Sequence, residues 1–107
     1  MAQDLVIFTA INEIDLARDI ITDLLEQDLI KSGTIFPDVE LMYKWEGTIN
    51  VDQEIKIMIK TSSDKYDDVE AFIAQKHPYM FPEIVKLEAS FGSKKFFRML
   101  ESKRVDI

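Results

Sequence analysis

Residues Ser32 to Thr61 constrain the fold most, because they read as two long β-runs joined at Trp45-Glu46-Gly47-Thr48. In the second run Ile55, Ile57 and Ile59 alternate with Lys56, Met58 and Lys60, the period-2 pattern of a strand with one buried face. In the first, Val39, Leu41, Tyr43 and Trp45 alternate with Glu40, Met42 and Lys44. Both apolar sets fall on odd numbers, and an antiparallel pair sets odd opposite odd only across a loop with an odd number of residues. The pattern therefore predicts a three-residue loop, with Gly47 at φ > 0 beside a bulge, rather than a two-residue turn. A slip by one residue would turn every isoleucine outward.

Each run has room for about 12 residues, or roughly 40 Å at ~3.3 Å per residue, twice an average strand. A domain of about 100 residues has a radius of gyration near 13 Å. Such a hairpin overhangs its own core. Exposed strand edges recruit other strands unless they are protected, and another copy of the same chain is the economical protection.

The 107 residues suit one domain spanning 1–107, and 47% hydrophobic with 31% charged content is ordinary for a globular protein. With no cysteine, disulfides, thiolate metal sites and cysteine nucleophiles are excluded. A net charge of −7 argues against nucleic-acid or anionic-membrane binding, which needs clustered Lys and Arg. That leaves cations, proteins and small ligands as partners. No apolar run approaches the roughly 18 residues of a membrane span and no signal-like segment opens the sequence, so a cytoplasmic location is expected.

In chain order, Leu5-Val6-Ile7-Phe8 reads as an inner strand. Asn12 offers an N-cap to an amphipathic helix of about 16 residues, with Ile14, Ala17, Ile20, Ile21, Leu24 and Leu25 on one side. Lys31-Ser32-Gly33 is expected to break that helix, and Pro37 to kink the strand that follows. Ser62 or Ser63 can cap a second helix carrying Tyr66, Val69, Phe72 and Ile73 inward, which Pro78 should stop near Lys76 or His77. Ile84 to Ala89 reads as a fourth strand. Gly92-Ser93 opens a last short helix with Phe96, Phe97 and Leu100 inward. Strand, helix, strand, strand, helix, strand is the α+β, ferredoxin-like βαββαβ sandwich, here with a C-terminal helix and a long hairpin between its second and third strands.

Tyr43-x-Trp45-Glu46-Gly47, Glu54 leading to Ile59-Lys60-Thr61, and His77-Pro78-Tyr79-x-x-Pro82-Glu83-Ile84 closely resemble the CutA divalent-cation-tolerance proteins in order and spacing. The likeness runs from Leu5 to about Leu100. It implies a tight homotrimer whose long hairpins pair edge to edge, and a non-enzymatic role in the response to copper and other divalent metals. The implied site is an intersubunit cleft around Tyr43, Trp45, Lys60, Tyr79 and Pro82. The trimer also looks like the PII signalling proteins, which makes a sensor of an anionic metabolite, anchored by Lys60, the alternative function. Ser32 stands where many members carry a cysteine proposed as a copper ligand, and Met80 where many carry Glu.

His77, the single histidine, could hold a divalent metal with Glu83 and Glu54 from this subunit or a neighbour, an imidazole and carboxylate set suited to copper, zinc or nickel. It could equally bond the exposed carbonyls at a helix end. No cofactor is required by this reading; copper or another divalent cation, held weakly, is the candidate ligand. Lys60 could pair with Glu83 across a subunit boundary or attract an anion. Tyr43, Trp45 and Tyr79 suit either a ligand or an interface core. The acidic residues lack calcium-loop spacing, and neither a nucleophile elbow nor a phosphate-binding glycine loop can be read.

Overall fold

The computed structural model describes residues 2–90, 95 and 98–100. Its elements are β1 (Asp4–Ile11), α1 (Ile14–Glu26), β2 (Ser32–Trp45), β3 (Thr48–Ser62), a 3-10 turn (Ser63–Lys65), α2 (Tyr66–Lys76) and β4 (Ile84–Glu88). The strands form one antiparallel sheet in the order β2-β3-β1-β4, which leaves β2 and β4 as its edges. Lys95 and Arg98–Leu100 are helical and Leu100 is buried. The expected opening of that helix at Gly92-Ser93, and the inward positions of Phe96 and Phe97, lie outside the described residues.

One face of the sheet carries the core. Leu5, Ile7, Thr9 and Ile11 of β1 lie opposite Thr61, Ile59, Ile57 and Ile55 of β3, and α1 closes over them with Ala17, Ile20, Ile21 and Leu24. α2 adds Tyr66, Val69 and Ile73, with Phe72 half-buried beside them. Burying this many branched side chains, each contributing about 1.5–3 kcal/mol, is what holds the two layers together. α1 is shorter than its periodicity suggests. Glu13, not Asn12, is the N-cap: its own carboxylate accepts from the Asp15 backbone N–H at 3.0 Å. The helix also stops at Glu26, well before Gly33, because Asp28 adopts a left-handed φ of 57° that lets the Leu29 N–H reach back to the Leu24 carbonyl. Neither Ser62 nor Ser63 caps α2 through its side chain; the Ser62 hydroxyl bonds Asp64 and the Ser63 hydroxyl accepts from the Gln3 N–H. α2 ends at Lys76, one residue before His77-Pro78.

Gly33 lies inside β2, beneath Ile21 of α1. A Cβ there would stand 2.8–3.0 Å from three carbons of Ile21. Gly33→Ala is therefore expected to cost about 1–3 kcal/mol by forcing Ile21 off its packing position, measured by chemical denaturation.

The hairpin strands are 14 and 15 residues long, and the molecule extends 48 Å along its long axis against 26 and 25 Å across it. Its register corrects the expected loop. Ile35 lies opposite Ile57, odd on odd, but the ladder shifts between Phe36, opposite Lys56, and Val39, opposite Glu54. One extra residue is inserted at Pro37-Asp38, where the proline cannot donate to the ladder. From there odd residues of β2 face even residues of β3, and Trp45 pairs directly with Thr48. A two-residue turn is then the one that fits. Glu46 and Gly47, at φ 49° and 80°, form it with both central residues left-handed, as a type I′ hairpin turn requires.

The bulge also reassigns the tip. Val39, Leu41 and Tyr43 project on the side of Glu54 and Asp52, continuous with the sheet face that bears Phe36, Lys56, Phe8, Met58, Val6, Val85 and Leu87. No described helix covers this second face. Phe36, Leu41, Tyr43, Val85 and Leu87 are each 39–50% exposed on it.

Candidate functional site

The segment after α2 is pinned to the sheet by one side chain. His77 is buried, and its Nε2 lies 2.6 Å from the Ala10 carbonyl at the end of β1. A carbonyl only accepts, so Nε2 carries the proton. The other nitrogen, Nδ1, accepts the Tyr79 backbone N–H at 3.1 Å. With both ring nitrogens engaged, His77 folds the chain tightly enough for its ring to lie 4.6 Å from that of Tyr79.

Tyr79 thereby reaches the base of the overhanging hairpin. Together with Leu41, Tyr43, Asp52, Gln53 and Glu54 it lines an open surface cleft of about 570 Å³. Tyr43 Oη donates to Asp52 Oδ2 at 2.8 Å, and this bond to a carboxylate holds the phenol above its ordinary pKa. Beside the cleft, Lys56 Nζ stands 3.3 Å from Glu54 Oε1 and 3.2 Å from Glu83 Oε1. Burial works against the ammonium, but hydrogen bonds to Glu83 and Glu54 outweigh it and raise the pKa of Lys56.

The expected residues are thus only partly brought together. Tyr43, Tyr79 and Glu54 share the cleft. Trp45 sits at the hairpin tip, 64% exposed, and Pro82 is half-buried in the loop after Tyr79. Lys60 lies opposite Val6 and Ser32, four residues and roughly 13 Å along β3 from Lys56. Within the chain the partner of Glu83 is Lys56 and not Lys60. Within one chain the expected metal set of His77, Glu83 and Glu54 does not assemble: Lys56 bridges the two carboxylates, and both imidazole nitrogens are bonded to the backbone. Among the described residues no three His, Asp or Glu side chains group as a metal site. Asp52 and Lys56 were missed from sequence, although Glu54 and Lys56, two apart on a strand, necessarily share a face.

The CutA1 divalent ion tolerance protein family model matches residues 5–103. The divalent-cation tolerance protein CutA of Thermus thermophilus is 30% identical over 98 residues, covering 92% of this chain and 94% of that protein. Among solved structures, the divalent ion tolerance protein CutA1 of Ehrlichia chaffeensis superposes with a TM-score of 0.81 at 28% identity, over 94% of each chain. CutA of Archaeoglobus fulgidus, described as a periplasmic divalent cation tolerance protein, gives 0.80 at 26% identity over 92% of this chain and 95% of its own. No described helix of this chain is long and apolar enough to cross a membrane. A family match over nearly the whole sequence, a relative at 30% identity and the same strand-and-helix layout make this chain a member of the CutA1 divalent ion tolerance family.

Proposed function

We propose that the chain works without catalysing a reaction, as a homotrimer in the cell's response to divalent cations such as copper, and that the cleft between Tyr43 and Tyr79 takes a small ligand at or near a subunit boundary. One observation carries the reading: a hairpin that runs past its own core, continuous with an uncovered apolar sheet face. Among the described residues no strand pairs with the outer edges of β2 and β4, which supports pairing with strands of neighbouring copies. The element order and the strand order β2-β3-β1-β4 support the ferredoxin-like sandwich. An anionic ligand anchored by Lys60 is disfavoured, because Lys60 is remote from the cleft and Asp52 and Glu54 line it.

The test is complementation. Cells of origin lacking the gene should grow less well in copper, the wild-type chain should restore growth, and a Met58→Asp chain that cannot assemble should not. Full rescue by a demonstrably monomeric chain would remove the quaternary part of the proposal.

A further inference from the structure

We infer that Lys56 is a built-in counter-ion for the Glu54 and Glu83 carboxylates, and that it excludes divalent metal ions from the donors this chain offers around the cleft. The family name implies a divalent cation, so the fit of these residues to one is the first question. A metal requires its donors to converge on one point at about 2.0–2.6 Å. Here the point between the two carboxylates is taken by an ammonium nitrogen, 3.3 Å from Glu54 Oε1 and 3.2 Å from Glu83 Oε1, which is hydrogen-bonding geometry.

The ammonium is also held in place. Lys56 lies between Phe36 and Ala10 in the ladder and its side chain is 25% exposed, so its stem is packed along the sheet. Glu54, at 13% exposure, is the more covered of the two carboxylates and would lose its charge partner if the lysine swung out. An arriving dication would have to displace this ammonium or sit beside it against like-charge repulsion. The third expected donor offers no way round. His77 Nε2 is protonated towards the Ala10 carbonyl and Nδ1 holds the Tyr79 N–H, so ligation by either nitrogen breaks a bond that shapes the loop. His77, Glu54 and Glu83 of one chain do not fit a resident divalent ion. All of these side chains belong to one chain, so the inference stands on the subunit alone.

The experiment uses the full-length protein labelled with ¹⁵N, titrated with Mn²⁺ as a probe of carboxylate sites and, in a second series, with Cu²⁺ as a probe of imidazole. Paramagnetic broadening of backbone amides is read in the wild type, in Lys56→Gln and in Lys56→Arg. The wild type and the Arg variant should show no broadening centred on residues 54, 77 or 83 at equimolar metal. Lys56→Gln frees both carboxylates, and broadening centred on 54 and 83 should appear at a Mn²⁺ concentration lower by about tenfold or more. If the Gln variant fails to fold, Lys56→Met keeps the apolar stem and takes its place. Broadening of residues 54, 77 or 83 in the wild type at equimolar metal overturns the inference. So does a charge-removing variant that needs as much Mn²⁺ as the wild type.

Discussion

Met58→Asp is expected to take the proposed trimer to a monomer. Met58 lies at the middle of the uncovered sheet face, opposite Phe8 on one side and Thr34 on the other, with Val85 beyond Phe8 in the same row. In an isolated subunit Met58 is half-buried, so an aspartate here keeps partial access to solvent and the subunit fold should survive. In an assembly that buries this face the carboxylate is taken out of water without a partner, at a cost of about 3–5 kcal/mol for an uncompensated buried charge. That corresponds to roughly 10²–10⁴-fold weaker association at each contact. Sedimentation velocity at micromolar concentration should then show the single-subunit mass. Gln75→Asp, on the exposed side of α2, should leave the mass of the assembly unchanged.

His77→Ala is expected to destabilise the subunit by about 2–4 kcal/mol. The substitution removes a buried ring and strands two backbone groups at once, the Ala10 carbonyl and the Tyr79 N–H. The buried Ala10 carbonyl left without a partner costs about 1–3 kcal/mol, and the part-buried Tyr79 N–H and the lost ring packing add the rest. His77→Gln, whose amide can donate to Ala10 and still offer an oxygen to Tyr79, should recover part of the loss. A metal-ligand role predicts something else, a small stability change and a loss of metal binding. Urea denaturation of the three proteins in the presence of a chelator separates the two, since ligation contributes nothing there and the backbone bonds remain. Loss of the pin should also loosen Tyr79 from the cleft, seen as faster hydrogen exchange at its amide.

Much of this was legible because it depended on neighbours in sequence. The alternation around Ile55, Ile57 and Ile59 placed the core face correctly, and Pro37 marked where the first hairpin strand breaks its ladder. The same parity argument failed at the tip because it assumed one unbroken register. The extra residue beside Pro37 changed which residues faced each other, and with that the loop length. Helix limits were less legible, since Glu13 and Asp28 bound α1 through local backbone choices that win over the expected cap at Asn12 and the expected break at Lys31-Ser32-Gly33.

The site divides in the same way. Resemblance drew attention to Tyr43, Glu54, His77, Tyr79 and Glu83, but not to what each would touch. Whether His77 faced a ligand or a carbonyl turned on its meeting Ala10, 67 residues earlier in the chain. That Glu83 meets Lys56 within the chain turned on how the loop from His77 descends onto the sheet. Both are tertiary facts that spacing along the chain does not encode.

The described residues of one subunit leave the hairpin tip and the second sheet face uncovered. Sedimentation equilibrium of the wild-type chain at micromolar concentration tests most directly the proposal that neighbouring copies cover them. It should return three times the 12.4 kDa subunit mass; a stable, well-folded species of 12.4 kDa would contradict it.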